Sequence, residues 1–568
     1  MMLNGTGVST RDMNFPLKHK RIMNYSTNKE EKQERIKSSK TYPSGIILLY
    51  LVLFSFFISC SDSPDVVLSS DSKMESFTFK PEFNNDLKEV ATGTLSNFDI
   101  TVSIPLGTST DGLIATFDYK GASIQIGGTQ QVSGVTVNNF SEPVVYSVAA
   151  EDGTKTNYTV TVTNTIPRTP TVYITTTGGA PILDKENYVT STIKIEDLDT
   201  YFSSEVEFTS SAKIKGRGNS TWGMPKKPYR IKLDDKASLL GMKKHKDWVL
   251  LADYLDKSLL RNITAFETSR IAEMSWTPAS VSVDLYLNGE YQGVYALTEK
   301  VEVGEERLDM QLVKSSDNSG EALTGGYLLE LDFHFDEPYK FRTDGERLPI
   351  MFKDPDDPTQ EQFAYVKNYY NVAEKALYSS NFKDPEDGYR KYIDVESFIN
   401  YYIVQELAKN VDGNMRGSCY MAIRRNGKIE MPLVWDFDIA FGNADHITWE
   451  QGATSAEYDG WFIKTKAPWF DRFFEDPAFV AELKVRWNEL KPELDELPDF
   501  IKERALRLKD SQIKNFSSKA SGGAGWDIHK IEWNTKRVRG SYNAEVNYLV
   551  DFVDRRIEWL DTNIKKLN

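Results

Sequence analysis

Met431-Pro-Leu-Val-Trp435-Asp436-Phe437-Asp438-Ile-Ala-Phe-Gly442, preceded by Glu406-Leu-Ala-Lys-Asn410-Val-Asp412-Gly-Asn414 and by Tyr420, is the most informative stretch of this 568-residue chain. An apolar run ends there abruptly in two carboxylates. If residues 434 to 438 are extended, Asp436 and Asp438 point to one face, because side chains along a strand alternate with period two. Two hard oxygen ligands on one face, with a third carboxylate at Asp412 on a preceding loop, suit Mg²⁺ when its remaining positions go to water and phosphate. The same residues also suit a plainer role as helix caps and turn residues closing a strand.

Downstream of this stretch the periodicity is helical. Leu483, Trp487, Leu490, Leu494, Leu497 and Ile501 step by three and four, as do Val546, Leu549, Val553, Ile557, Leu560 and Ile564. Pro492 must kink or split the first series. Upstream, from about Val172, the signals are strand-like: Lys213 to Lys215, Tyr229 to Leu233, Trp248 to Leu251, Val281 to Leu287 and Gly326 to Leu331. Asn288-Gly289 between two of these runs is the strongest hairpin signal in the chain. A sheet-rich part therefore precedes a helix-rich part.

Before Ile166-Pro-Arg-Thr-Pro-Thr171, whose two prolines suit a semi-rigid linker, lie about 90 residues of short alternating strands. Phe98, Ile100, Val102 and Ile104, then Ile124 and Ile126, Val135 and Val137, Tyr146 and Val148, and finally Tyr158, Val160 and Val162 mark half-buried faces. Asp152-Gly153 supplies the positive φ of a tight turn between the last two runs. The pattern predicts a β-sandwich of immunoglobulin-like type over residues 76–165, with no catalytic constellation and the part of a spacer.

At the N-terminus, residues 45 to 59 form an uncharged apolar run of signal-peptide length, after a basic region that includes Lys37 and Lys40. A membrane-spanning helix needs about 20 such residues, and an uncleaved anchor is the competing reading. Phe57-Ile-Ser-Cys60 resembles a bacterial lipoprotein cleavage box, with Cys60 as the lipidated residue. Met23 is an alternative start. Residues 1–59 carry nine Lys/Arg and four Asp/Glu, so the formal charge of −15 for the whole chain leaves −20 on the remainder. Such an acidic chain is not a duplex nucleic-acid binder. With Cys60 and Cys419 the only thiols and five scattered histidines, there is no disulfide framework, no cysteine-based zinc cluster and no short His motif. The chemistry falls to carboxylates.

Lys215-Gly-Arg217-Gly218-Asn-Ser-Thr-Trp222, Pro225-Lys-Lys227-Pro-Tyr-Arg-Ile-Lys232-Leu233, Leu240-Gly-Met242, Trp248-Val-Leu-Leu-Ala and Leu260-Arg-Asn262 resemble the CotH family, atypical protein kinases of the spore coat protein H type. Asn288-Gly-Glu-Tyr-Gln-Gly-Val-Tyr295 with Thr298-Glu299, Gly326-Tyr-Leu-Leu-Glu330 and Trp435-Asp-Phe-Asp438 continue the resemblance in the family's order, over about 70% of the chain from Val172. The lipobox and sandwich are similar to an envelope lipoprotein arrangement of Bacteroidetes.

The resemblance implies an α+β, divergent protein-kinase-like domain over 172–568, with a β-rich lobe, a helical lobe and Mg-ATP between them. By the same token Asp412 stands for the catalytic-loop aspartate, and Asp436 for the metal-binding one, with Asp438 as a second metal carboxylate. Lys232 is the implied phosphate-contacting lysine, Lys227 the runner-up, Arg217 a further phosphate contact, and Glu299 the ion-pair partner of Lys232. Phosphoryl transfer relies on such charge neutralisation and positioning. The Arg217 to Thr221 block suits a structural turn as well as it suits phosphate contact. There is no H-R-D and no G-x-G-x-x-G, and Asn414 stands only two residues after Asp412 where a second-metal amide is sought. Asp332, His334 and Asp336 alternate on one strand face and read mainly as an exposed polar face, with metal binding the alternative. Trp222, Trp435 and Tyr420 read as core, with adenine stacking the alternative, and Cys419 reads as a buried small side chain.

The expected protein is thus a lipid-anchored kinase of the cell envelope, at the outer membrane. It carries a leader over 1–59, a tether over 60–75 and a linker over 166–171. It uses Mg²⁺ and ATP on Ser/Thr of a protein substrate that the sequence does not name, nor does the sequence give an oligomeric state. The competing class is an inactive kinase-fold scaffold or binding lipoprotein.

Overall fold

The computed structural model describes residues 67–87, 90–105, 108–444, 457–535 and 537–568. The expected leader, Cys60 and the tether as far as Val66 lie outside the described residues. The chain falls into two compact units that part between Ile166 and Pro167.

The N-terminal unit is all β. A four-stranded and a six-stranded sheet enclose one core that includes Phe77, Phe79, Ile100, Val102, Phe117, Ile124, Tyr146, Val148 and Val160. Strands Val144–Ala149 and Lys155–Thr165 form the expected hairpin, with Gly153 at φ +88° and the Ala150 N–H donating to Thr154 at 2.8 Å. Phe98, Val135 and Val137 are exposed, contrary to the alternation read from the sequence. They stand in turns or on the short strand Val137–Asn139, where no second sheet covers them.

The larger unit begins with a closed seven-stranded barrel. Its strands, in chain order, are Thr171–Thr176, Val189–Glu196, Glu207–Gly216, Tyr229–Ala237, His245–Leu251, Ser280–Leu287 and Glu290–Glu299. Neighbours are antiparallel except at the seam, where Thr171–Thr176 pairs in parallel with Ser280–Leu287. Asn288 (φ 51°) and Gly289 (φ 83°) turn the predicted hairpin, and the Asn288 side chain accepts the Thr176 N–H at 2.8 Å, pinning the seam. Ile174, Ile193, Ile214, Ile231, Trp248, Leu250, Val283 and Leu297 fill the interior.

At Gly293 φ is +112°, and a Cβ there would stand 2.4 Å from Asn515 Oδ1 and 2.8 Å from Trp526 Nε1. Glycine is required because the Asn515 side chain reaches in to accept the Val294 N–H at 3.0 Å. The helix Lys509–Phe516, which carries Asn515, thereby docks on the barrel.

Beyond the barrel the sheet and helix signals interleave more than the sequence suggested. A five-stranded antiparallel sheet runs Lys340–Arg342, Pro349–Asp354, Tyr327–Leu331, Cys419–Ile423, Ile429–Glu430, so strands on both sides of helices Gln360–Leu377 and Val395–Ala408 meet in one layer. Helices Pro477–Leu494, Leu497–Arg507 and Tyr542–Ile564 complete the core, and all twelve residues of the two periodic series are buried. Pro492 falls in the last turn of Pro477–Leu494, and a new helix starts at Leu497. Among the described residues no helix is long and apolar enough to cross a membrane.

Candidate active site

Helix Val395–Ala408 ends on Lys409 in the left-handed conformation (φ 45°), and the chain then loops through Asp412 to strand Cys419–Ile423. The Asp412 carbonyl accepts the N–H groups of Arg416 (3.3 Å) and Gly417 (3.0 Å), which folds the loop on itself. After strand Ile429–Glu430 the chain is irregular, and Asp436 has φ +67°. The extended stretch expected over 434 to 438 is therefore absent: a left-handed residue interrupts any pleat. Asp436 and Asp438 nonetheless both line one cleft of about 490 Å³, together with Asp412.

Three tethers fix the Asp436 segment. Asn410 Nδ2 donates to the Asp436 carbonyl at 3.3 Å, and Ser418 Oγ to its Oδ2 at 3.5 Å. The Phe437 N–H donates to Asn262 Oδ1 at 2.8 Å, and Asn262 Nδ2 donates in turn to Asp253 Oδ1 at 2.8 Å. Arg261, fully buried with Asp256, adds a hydrogen bond from Nε to the Ala440 carbonyl at 3.0 Å. The block Leu260-Arg-Asn262 thus holds the carboxylate segment in place from the start of helix Arg261–Ile271.

Asp253, Glu330 and Asp332 also line the cleft and were not assigned to the site from sequence. Asp253 follows the apolar strand His245–Leu251, and Glu330 lies within Tyr327–Leu331, so both repeat the signal that marks Asp436: an apolar run meeting a carboxylate. Asp332 is buried and not part of an exposed polar face, whereas His334 and Asp336 beyond it are exposed.

The cationic side of the cleft departs from expectation. Arg217 lines it, with its guanidinium 5.7 Å from the Trp435 ring. Lys232 does not. Tyr229, Ile231 and Leu233 turn into the barrel, so Lys232 between them points to solvent. Lys227 also lies outside the lining and donates to the Trp222 carbonyl at 2.7 Å. Glu299 pairs with Arg307 at 2.8 Å and accepts the Ala279 N–H, remote from Lys232. The lysines lining the cleft are Lys226 and Lys353. Lys226 is buried, donates to the Val294 carbonyl and lies 4.6 Å from the Tyr295 ring. Lys353 pairs with Glu330 at 3.1 Å and Glu337 at 2.6 Å. No local pattern distinguishes Lys226 from Lys227, because the burial of Lys226 depends on residues 294 and 515.

Gly216 and Gly218 serve the turn: a Cβ at Gly216 would strike the Trp222 ring at 2.5 Å, and one at Gly218 would strike Thr221 Oγ1. Residues 217–221 also line the cleft, so the turn forms part of its wall. Trp435 and Tyr420 are buried among apolar neighbours, while Trp222 is half-buried against the barrel. Cys419 is buried, its thiol pushed up to about 12 chiefly by that burial, which makes it no nucleophile. Asn414 is buried outside the cleft lining, with Oδ1 lacking a hydrogen-bond partner.

Burial and mutual repulsion raise the carboxyl groups of the cleft. Asp412 is pushed up to about 7 by burial and then by Asp436, with Arg416 opposing. Asp253 is likewise pushed up to about 7 by burial and Asp256. Burial also raises Asp436 against the pull of Arg217, and Asp438, facing Asp436 and Asp253, lies well above its ordinary value. Lys226 is lowered to about 7 by burial. Among the described residues, three ligand-type side chains converge within 4.8 Å only at His245, Asp247 and Glu302. There Arg230 already occupies Asp247 at 2.9 Å, and His245 Nδ1 accepts the Asp247 N–H. The cleft carboxylates stand farther apart.

A barrel and a mixed α/β body that meet at an acidic cleft, with buried cations along its other wall, define a two-part protein built around one charged site. The chain belongs to the CotH kinase family, whose model, described as CotH kinase protein, matches residues 214–560. The family described as SGBP, N-terminal, matches residues 77–162. No curated protein matches the chain. Among solved structures, a Bacteroides fragilis protein provisionally described as secreted is 18% identical, with 17% of this chain and 96% of that one covered and a TM-score of 0.12. A Bacteroides thetaiotaomicron protein provisionally described as a glycoside hydrolase is 18% identical, with 31% of this chain and 54% of that one covered and a TM-score of 0.14.

Proposed function

We propose that the protein is a Mg²⁺-dependent phosphotransferase that moves the γ-phosphoryl group of ATP to a Ser or Thr hydroxyl of a protein, and that lipid on Cys60 holds it in the cell envelope. The single observation that supports this best is the convergence of Asp412, Asp436 and Asp438 on one cleft with Arg217, Lys226 and Lys353. Asp438 tests the fit of a divalent cation: it is 8% exposed, and the charges that face it most strongly are other carboxylates. Buried carboxyls crowded in this way are relieved either by a proton or by a cation, and a divalent ion is the relief that leaves them ionised. Asp436 and Asp438 would hold the ion, with Asp253 beside them; because the three do not converge within 4.8 Å, the ion would take at most two of these carboxylates and draw its remaining oxygens from water and phosphate. Bound there, Mg²⁺ supplies neutralisation of charge on the transferring group.

The chain's own residues do the rest. Arg217 and Lys226 present positive charge to phosphate oxygens from the barrel side, and Lys353 from the sheet. Asp412 orients the acceptor hydroxyl and takes its proton. The membrane anchor rests on the Phe57-Ile-Ser-Cys60 box and the apolar run before it.

Thermal unfolding of the chain from Ser61 onward, with and without Mg-ATP, tests the reading. A ligand at 100 times its dissociation constant adds about 2.7 kcal/mol. The stabilisation should require magnesium and vanish in Asp436→Asn, a variant chosen because asparagine tolerates the left-handed backbone. A wild-type chain that ignores millimolar Mg-ATP would leave the scaffold reading in its place.

Two lysine variants separate the phosphate contacts. Lys226→Met should remove most of the Mg-ATP stabilisation while its methylene stem keeps the packing, and Lys232→Met should leave the stabilisation unchanged. Equal effects of the two would show that the cleft lining does not define the phosphate site.

A further inference from the structure

Asp332 follows strand Tyr327–Leu331, which ends at the cleft, and is buried at 6% exposure. Both of its oxygens are engaged. Oδ1 accepts the N–H of His334 at 2.8 Å and lies 2.8 Å from its Nδ1. Oδ2 accepts the N–H of Ser418 at 3.0 Å, across 86 residues of sequence. Ser418 is the residue that donates its hydroxyl to Asp436, and its backbone is left-handed at φ 51°. The loop carrying Asp412 is therefore held at two places. Its own carbonyl closes the turn at Arg416 and Gly417, and Asp332 grips the far end from a different strand.

The packing reinforces the grip. A Cβ on Gly417 would meet the Phe333 ring at 3.2 Å and Asp332 Oδ2 at 3.5 Å, so the loop and the turn after the strand lie in van der Waals contact. A left-handed serine costs free energy and persists only where its surroundings over-determine it. The Asp332 hydrogen bond is one of the long-range contacts that do so, beside the Ser418 hydroxyl on Asp436 and the pairing of Leu331 with Cys419.

We propose that Asp332 is a positioning residue: through the Ser418 amide it fixes where the Asp412 loop stands relative to Asp436. It acts on the placement of the acceptor-side carboxylate and not on nucleotide binding. The kinetic part of this proposal rests on the phosphotransfer reading; the structural part does not.

Three chains decide it: wild type, Asp332→Asn, which keeps one acceptor oxygen for the Ser418 amide at the expense of the His334 amide, and Asp332→Ala, which has none. Hydrogen exchange of the peptide spanning 410–419 should be protected in wild type and Asp332→Asn and unprotected in Asp332→Ala. Misplacement of a catalytic group by about 1 Å costs on the order of 100-fold in rate, so kcat of Asp332→Ala should fall by about that factor with the KM for ATP unchanged. Asp332→Asn should recover most of the rate. Unaltered exchange in Asp332→Ala would overturn the proposal, as would an asparagine variant that keeps the Ser418 amide protected and is still as slow as the alanine one, since that would assign the effect to charge. If wild type neither binds Mg-ATP nor transfers phosphate, the kinase reading falls, and the exchange measurement still decides whether Asp332 holds the loop.

Discussion

Asp412→Asn is expected to lower phosphoryl transfer by about 10²- to 10⁴-fold, the usual worth of a positioned general base, while leaving stabilisation by Mg-ATP intact. Asparagine matches aspartate in shape, and the loop is held by the backbone carbonyl of Asp412, which the substitution retains. What is lost is the basic oxygen. Asp412 lies in a cleft where burial and Asp436 disfavour its charge, and such an environment makes the carboxylate a better proton acceptor once ionised. Single-turnover transfer to a protein acceptor, measured beside thermal unfolding with Mg-ATP, checks both halves. A variant that transfers at the wild-type rate would remove Asp412 from the chemistry. One that also loses the nucleotide response would move it to the binding of the nucleotide.

Arg556→Met is expected to destabilise the larger unit by about 3–5 kcal/mol, the cost of leaving a buried charge without its partner. Glu406 and Arg556 are 1% and 0% exposed and pair at 2.6 Å. Arg556 also donates to the carbonyls of Tyr458 and Gly460 at 2.8 Å, and Glu406 accepts the N–H groups of Phe462 and Lys464. One pair thus joins helix Val395–Ala408, the 457–464 segment and helix Tyr542–Ile564. Because helix Val395–Ala408 leads directly into the Asp412 loop, the variant should also lose nucleotide response before it loses its fold. The denaturant midpoint gives the size of the effect. Glu406→Gln combined with Arg556→Met should cost less than the two single changes added, since neither charge is then left alone. A loss below about 1 kcal/mol for Arg556→Met would mean that water reaches the pair.

Much of the fold is legible in residues that act locally. Asn288-Gly289 turns its hairpin because both residues adopt positive φ, Gly153 alone does so in the Asp152-Gly153 turn, and the helical series around Trp487 and Val553 is buried as its spacing requires. Asp412, Asp436, Asp438 and Arg217, each singled out from the sequence, line one cleft. Lys232 was legible in the other direction: with Tyr229, Ile231 and Leu233 facing the core, the residue between them had to face out. Lys226, Lys353 and Asp332 were beyond local reading. Their placement depends on Val294, Glu330 and Ser418, each far away in sequence, and only the closed barrel and the five-stranded sheet bring them together. The extended reading of 434 to 438 failed for a similar reason, because tethers from Asn262 and Asn410 hold Asp436 in a conformation that its own sequence does not demand.

The seam of the barrel has a bearing on how the chain matures. Strand Thr171–Thr176 pairs on one side with its immediate successor and on the other with Ser280–Leu287. During synthesis the first strand emerges long before its second neighbour exists, and its open edge must wait, unpaired, for the hairpin at Asn288-Gly289 to arrive. Non-local pairing of this kind is slow and leaves an aggregation-prone edge exposed. Under the envelope location proposed above, that interval favours a late-closing barrel: a polypeptide still open at its seam is one that can be threaded through a membrane before it becomes too compact to pass.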